Sequence, residues 1–127
     1  MKWLNEKIFD KVDYKVLDSL AIEAEPGSDG MIYLPYLAGE RTPHFDPRAK
    51  GIFFGLTLKH EKKHFIRSVL EGVVFSLKDC LEIIKAMNLK ADKIIASGGG
   101  AKSEVWLQIQ ADIFNLPIYT NIVQEEA

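Results

Sequence analysis

Three consecutive glycines, Gly98 to Gly100, separate a short apolar run from an amphipathic segment. Glycines at a strand-to-helix turn permit positive φ and let backbone amides approach a ligand that a Cβ would exclude. The free amides in the first turn of the following helix add hydrogen-bond donors and a partial positive charge. The segment therefore predicts a nucleotide site. A tight connection that binds nothing is an equally good interpretation of the glycines alone.

Two common phosphate-binding motifs fit this segment poorly. A dinucleotide fingerprint would need its third small residue where Ser103 stands and an acidic residue near the position of Ile118. A Walker A loop would need a glycine at the position of Ala96 and another directly before Lys102. The chain meets neither requirement, so the nucleotide interpretation does not rest on these motifs.

Glu104 indicates which part of a nucleotide the turn could accept. A carboxylate in the first turn of a helix repels a polyphosphate, whereas it tolerates a neutral purine or ribose. We therefore expect adenosine at this turn and the γ-phosphate elsewhere. In the alternative without a ligand, Glu104 only complements the helix dipole.

The elements that must hold this turn follow from hydrophobic periodicity. Apolar residues three and four apart predict an amphipathic helix within residues 1–25, from Asn5 to Glu25, and a long buried helix within 62–88. Residues 31–57 read as two short strands around a polar loop at 39–50, and residues 93–120 as strand, glycine turn, helix and strand. Gly72 inside the long helix predicts a close approach by another element. This order of elements indicates an α/β fold.

Composition sets limits on the class of protein. The 127 residues, 47% of them hydrophobic, suit one globular domain, and a net charge of −2 with both signs interspersed argues against nucleic acid as a partner. No apolar window is long enough for a membrane span, and the start of the chain lacks the pattern of a signal peptide. The single cysteine, Cys80, fits a reducing, cytoplasmic setting.

Several residues of types that could act in catalysis, metal binding or ligand contact are better explained by structural roles. Asp10 and Asp13 read as a solvated helix face, and His60 and His64 as a solvated helix start rather than a metal site. Arg41 could contact a phosphate or another domain, but pairing with Glu40 or Asp46 inside its loop is the favoured interpretation. Trp106, Ile109 and Ile113 share a helix face, where packing against the sheet is expected rather than stacking on adenine.

Three segments of the chain stand out together: Leu34–Pro43, Gly51–Leu56 together with Leu70–Val73, and Ser97–Ser103 together with Trp106. In their combination they resemble the C-terminal half of the FGGY carbohydrate kinases, and xylulose kinases in particular. The resemblance implies part of an actin-like ATPase domain of ribonuclease H-like topology, with a short mixed sheet and packing helices. It also implies ATP and Mg²⁺ as cofactors and phosphorylation of a sugar such as D-xylulose, with ribulose, glycerol and gluconate as alternatives.

The same resemblance assigns the site residues. The adenosine motif of the family matches Gly99–Ala101, and the position that often contacts adenine matches Glu104, where glycerol kinases have asparagine. A carboxylate there could accept hydrogen bonds from the adenine amine or a ribose hydroxyl. The full expected nucleotide-binding set is Gly98, Gly99, Gly100, Ala101, Ser103 and Glu104.

Catalytic residues are not expected in this chain. In the family, the base aspartate and the threonine-rich phosphate loop lie upstream, and neither motif occurs in this sequence. We therefore expect a fragment that lacks the sugar-binding N-terminal domain and the Mg²⁺ ligands. A binding or oligomerisation module, such as a homodimer, is the alternative from a different class of function.

Overall fold

The computed structural model describes residues 1–42 and 45–121. Two helices and two strands come first, and helices and strands then alternate along the chain, as expected for the α/β class. The helices are α1 (Lys2–Lys7), α2 (Tyr14–Glu23), α3 (Lys62–Ala86) and α4 (Glu104–Phe114). The strands are β1 (Ile32–Leu34), β2 (Ile52–Phe54), β3 (Ile94–Ala96) and β4 (Ile118–Thr120), and short 3₁₀ turns cover Ser28–Gly30 and Gly99–Lys102.

The four strands form two separate pairs. β1 and β2 are antiparallel with Tyr33 opposite Phe53, whereas β3 and β4 are parallel with Ile95 opposite Tyr119. In the antiparallel pair, Tyr33 and Phe53 face the core with their ring centroids 4.7 Å apart. Because side chains alternate between the two faces of a strand, the flanking residues of both strands point outward.

Helix α3 is the centre of the fold. It contacts α2, β1 and α4, and its buried positions include Ile66, Val69 and Val74. Its bounds, Lys62–Ala86, confirm the long helix that the four-residue apolar repeat predicts. The predicted burial holds mainly for its first half, since Leu77 and Ile84 of the apolar stripe are exposed. At its start, the Nδ1 atom of His64 accepts a hydrogen bond of 2.9 Å from the amide of Glu61.

Gly72 allows β1 to lie directly against α3. A Cβ added at Gly72 would overlap the carbonyl oxygen of Tyr33. The close approach that the sequence predicts at Gly72 is therefore confirmed, and the approaching group is the backbone of β1. A glycine at this position is less favourable for an isolated helix, but it permits this helix–strand contact.

A buried ion pair next to Gly72 ties α2 and the following turn to α3. The Nε atom of Arg67 donates to Oε1 of Glu71 at 2.7 Å, and both side chains are about nine-tenths buried. The amide of Gly27 donates to the same oxygen at 3.0 Å, and Nη1 of Arg67 donates to the carbonyl of Ala21 at 3.3 Å. This network gives Glu71, for which the sequence suggested no role, a structural one.

The single helix predicted from Asn5 to Glu25 is wrong, because the chain breaks it into α1 and α2. Asp10 and Lys11 adopt positive φ of 46° and 54°, which no α-helix accommodates. The side chain of Asn5 stabilises this break: its Nδ2 donates to the carbonyl of Val12 and its Oδ1 accepts from the amide of Val12. Asp13 then caps α2 by accepting from the amide of Lys15 at 2.8 Å. Asp10 and Asp13 therefore do not share a helix face.

The first two strands are shorter than the apolar runs that predict them. β1 ends at Leu34, because Pro35 has no amide hydrogen to continue the ladder. β2 ends at Phe54, where Gly55 turns with a φ of 87°. Within residues 1–42 and 45–121, no helix combines the length and the hydrophobicity that a membrane span requires.

Candidate nucleotide site

The glycine turn lies between the end of β3 and the start of α4. Gly98 has φ 83° and ψ −171°, a conformation open to glycine but strained for other residues. The chain then makes one 3₁₀ turn over Gly99–Lys102 and enters α4 at Ser103. The strand, glycine turn and helix predicted from the sequence are therefore present in this order.

The three glycines have different surroundings. A Cβ added at Gly98 or Gly99 would have no heavy atom within 4 Å among the described residues, so space is open on their side-chain side. A Cβ added at Gly100 would lie 3.0 Å from Nε1 and 3.1 Å from Cδ1 of Trp106. We call the open space at Gly98 and Gly99 the glycine notch. The surface free of side chains is thus smaller than the three consecutive glycines predict, because the indole of Trp106 lies beside Gly100.

The other expected site residues divide between core and surface. Ala101 is buried, so its side chain belongs to the core and not to the notch. Ser103 caps α4, because its Oγ accepts a hydrogen bond of 3.2 Å from the amide of Trp106. Glu104 is exposed in the first turn of α4. The arrangement therefore places Gly98, Gly99 and Glu104 at the surface.

Hydrogen bonds within the turn fix its shape. The amide of Ala101 donates to the carbonyl of Gly98 at 3.2 Å, and the amide of Ser103 donates to the carbonyl of Gly100 at 3.1 Å. Both bonds hold backbone groups that would otherwise need another partner. Glu104 and Lys102, both exposed, place one negative and one positive charge beside the turn, and the carboxylate of Glu104 offsets the positive end of the helix dipole. The notch is thus compatible with a purine nucleoside.

A comparison with protein families identifies this architecture. The C-terminal domain model of the FGGY family of carbohydrate kinases matches residues 1–127. The chain belongs to the FGGY family.

Curated relatives agree with this membership. A xylulose kinase from Staphylococcus epidermidis is 42% identical over 118 residues, which are 93% of this chain and 24% of the relative. A gluconokinase from Bacillus subtilis is 48% identical over 102 residues, which are 80% of this chain and 20% of the relative. The chain thus spans about a quarter or less of the length of these relatives.

A solved structure shows the same fold. The ligand-bound xylulose kinase from Lactobacillus acidophilus superposes with a TM-score of 0.88 at 40% identity, over 98% of this chain and 25% of that one. This similarity confirms the α/β fold class as part of the actin-like ATPase fold of FGGY kinases.

The polar loop of this FGGY domain is closed by its backbone. Glu40 and Asp46 exchange two amide-to-carbonyl hydrogen bonds of 2.9 and 2.8 Å. The amide of Arg41 donates to Oε1 of Glu40 at 2.9 Å, but none of the ion pairs among the described residues involves its guanidinium. The predicted pairing of Arg41 with an acid is thus present only through its main chain, and Arg41 itself is exposed.

The histidines at the start of α3 have structural roles. The Nδ1 atom of His60 accepts from the amide of Thr57 at 2.9 Å, so its Nε2 donates to the carbonyl of Asp29 at 2.9 Å. His64 is buried, which contradicts the prediction of a solvated position; its ring packs edge-on against that of His60. His44 lies outside the described residues. In the part of the chain that is described, no group of three acidic, histidine or cysteine side chains is placed to hold a metal ion.

A cavity of about 390 Å³ lies away from the glycine notch, between β1 and the middle of α3. Its lining includes Ile32, Leu34 and Phe75 on the apolar side and Lys78 and Asp79 on the polar side. The sequence analysis did not predict this cavity, although the consecutive apolar residues of β1 indicate that both faces of the strand are apolar.

Tyr36 also lines this cavity, and its environment disfavours the phenolate. Burial raises the pKa of Tyr36, and the carboxylates of Glu40 and Asp79 raise it further, whereas a hydrogen bond with Ser76 acts in the opposite direction. The phenol therefore stays protonated at neutral pH. No residue of the glycine turn contributes to this cavity.

Proposed function

We propose that this chain is the adenosine-binding part of an ATP-dependent sugar kinase. The open space at Gly98 and Gly99, directly before the first turn of α4, is the observation that carries the proposal. The backbone of Gly98, with a φ of 83°, already favours glycine, but neither a positive φ nor packing within the described residues requires glycine at position 99. A ligand gives a reason for the absent side chain at Gly99. Membership of the FGGY family supports a nucleotide as that ligand.

The carboxylate of Glu104 favours adenosine over phosphate at the start of α4. Glu104 lies in the first turn of α4, where its carboxylate offsets the positive end of the helix dipole. A carboxylate can accept hydrogen bonds from the adenine amine or from ribose hydroxyls, but it repels a phosphate. In this proposal, Gly98, Gly99, Gly100 and Glu104 lie along the nucleoside. Ala101 packs in the core and Ser103 caps α4, so these two residues hold the turn without contacting the nucleoside. The phosphates extend away from the turn.

Phosphoryl transfer needs groups that this chain does not supply. Mg²⁺ bridges the phosphates of ATP and neutralises developing charge, and a base positions the acceptor hydroxyl. The described residues contain no cluster suited to Mg²⁺. We therefore assign the Mg²⁺ ligands, the base and most sugar contacts to polypeptide outside this chain. The sugar is a ketose such as D-xylulose, with gluconate as the alternative that the Bacillus subtilis relative supports. A cytoplasmic location, where ATP is available, is part of the same proposal.

Amide chemical shifts of the ¹⁵N-labelled chain during titration with ADP test the proposal. We expect the largest perturbations at residues 98–104 and a dissociation constant of about 1 mM, because every phosphate contact lies outside the chain. Millimolar affinity is within the range of this measurement. Perturbations that cluster at β1 and α3 instead, or none at saturating ADP, would contradict the proposal.

Gly99→Ala is the matched variant for this titration. The backbone of Gly99 is not in the left-handed region, and its added Cβ would point into open space, so the variant should fold normally. The new methyl group would occupy the notch, so ADP should bind at least about ten-fold more weakly. Asp92→Asn, at an exposed position before β3, serves as a surface control that should leave binding unchanged.

A binding or self-association module is the second candidate, and the outer face of the β1–β2 pair favours it. Ile32, Leu34, Ile52 and Phe54 lie on this face with exposed fractions of 54%, 36%, 48% and 67%. Apolar residues clustered on one surface often mark an interface. Sedimentation with and without ATP separates the candidates, because a stable dimer that is indifferent to nucleotide would favour the module.

A further inference from the structure

The indole of Trp106 touches the backbone of the glycine turn, and the proposed nucleotide role does not account for this contact. Its Nε1 and Cδ1 atoms lie 3.0 and 3.1 Å from the place where a Cβ of Gly100 would be. Few side chains approach a Cβ position so closely, so a larger residue at position 100 would require the indole of Trp106 to shift. Gly100 therefore differs from Gly98 and Gly99, beside which the space is open.

Trp106 is held in place from two sides. Its backbone amide donates to Oγ of Ser103, the residue that ends the glycine turn and caps α4. Its side chain is half-buried and packs against the core cluster that includes Val105 and Ile109. The sequence predicts packing against the sheet for this face of α4, and the structure shows Trp106 packed against the core cluster. The edge of the indole reaches beyond the core to the turn.

We propose that Trp106 is a positioning residue of the glycine notch: the edge of its indole holds Gly100, and with it the turn in which Gly98 and Gly99 leave the notch open. This inference rests on the proposed nucleotide role of the notch. It goes further because it proposes that a side chain outside the glycine motif, that of Trp106, keeps the notch open. A displaced indole would let the turn relax toward the space where the nucleoside binds.

Gly100→Ala tests the contact without backbone strain. Gly100 is not among the glycines with positive φ, so alanine is conformationally acceptable there. The three nearest atoms to the added methyl group among the described residues would belong to the indole, which must move by a few tenths of an ångström. Trp106→Leu removes the indole and keeps an apolar side chain on the core face of α4. The double variant asks whether the two changes act through one contact.

The experiment is a double-mutant cycle in a Trp3→Phe background, in which Trp106 is the only tryptophan. ADP dissociation constants come from amide shifts, and the indole Nε1–H resonance of Trp106 reports the ring directly. We expect Gly100→Ala to weaken ADP binding about five-fold and to shift the indole resonance, and Trp106→Leu to weaken binding by a similar factor. The double variant should bind no more weakly than Trp106→Leu alone. ADP should also shift the indole resonance of the background chain.

The outcomes separate the inference from the proposed function. If ADP perturbs residues 98–104 but the two substitutions weaken binding independently, the inference is wrong and the nucleotide role stands. The same conclusion follows if Trp106→Leu lowers thermal stability while ADP affinity is unchanged, since the residue would then be only structural. If ADP perturbs none of these amides in the background chain, both the nucleotide role and the inference are overturned.

Discussion

Gly72 in α3 and Gly99 in the turn before α4 lack a side chain for different reasons. At Gly72 a Cβ would overlap the carbonyl oxygen of Tyr33, so contact between α3 and β1 requires the glycine. At Gly99 a Cβ would meet no atom within 4 Å among the described residues. The fold thus explains the glycine at position 72, whereas packing among the described residues does not require the glycine at position 99. A glycine that packing does not require is the better guide to a ligand.

The surroundings of the two glycines differ in the same way. Next to Gly72, Glu71 joins Arg67 and the amide of Gly27 in a buried network. Next to the notch, Glu104 is exposed at a helix start. A buried carboxylate that accepts hydrogen bonds from its own fold stabilises that fold, whereas an exposed carboxylate beside open space can receive hydrogen bonds from a ligand. Substitutions in the two regions should therefore affect different measurements.

Glu71→Ala should have the largest effect on stability. It leaves the guanidinium of Arg67 buried without its carboxylate and the amide of Gly27 without its acceptor. The free energy of unfolding should fall by about 3–5 kcal/mol, measured by urea denaturation. Glu71→Gln keeps an acceptor for Gly27 and should cost less. Equal stability of Glu71→Ala and the parent chain would show that the network contributes nothing.

Gly72→Ala should come next. The methyl group would force β1 away from α3, and the expected loss is about 3 kcal/mol despite the better helix propensity of alanine. Urea denaturation measures the loss, and an increase in stability would mean that β1 does not lie against Gly72 as described. Ala86→Gly, in the exposed last turn of α3, serves as the control for propensity alone.

Gly99→Ala should have the smallest effect on stability. Alanine limits the unfolded chain more than glycine, and the folded backbone accepts it, so stability should change by less than about 1 kcal/mol, in the favourable direction. Thermal unfolding followed by circular dichroism measures the change. A loss as large as that of Gly72→Ala would remove the contrast between the two glycines, because it would show that packing also requires Gly99.

Periodicity predicted the elements whose apolar residues repeat over many turns. The bounds of α3 and α4 and the strand before the glycines follow from this pattern, because an apolar repeat can be recognised within a single segment without knowledge of the rest of the chain. The break between α1 and α2 was not predictable in this way. The break depends on positive φ at Asp10 and Lys11 and on side-chain hydrogen bonds of Asn5. These features end the helix, but they leave the spacing of the apolar residues in the sequence unchanged.

The candidate site was predictable in position and less so in detail. The glycines, Ser103 and Glu104 lie where strand, turn and helix signals place them. The contact between Trp106 and Gly100 depends on how α4 packs on the core, and no local pattern contains it. The same holds for the bond from Gly27 to Glu71, which joins residues 44 positions apart. Tertiary contacts of this kind decide which of three adjacent glycines faces open space.

Photolabelling with 8-azido-ADP, followed by mapping of the modified peptide, tests the central claim most directly. Trypsin cleaves after Lys93 and Lys102, so the notch is divided between the peptides 94–102 and 103–127, and the cavity beside β1 falls in the peptides 16–41, 68–78 and 79–85. We expect labelling of 94–102 or 103–127 that unlabelled ADP suppresses and that Gly99→Ala reduces. Suppressible labelling confined to 16–41, 68–78 or 79–85 would contradict the nucleotide role of the glycine turn, because the nucleotide would then bind in the cavity between β1 and α3.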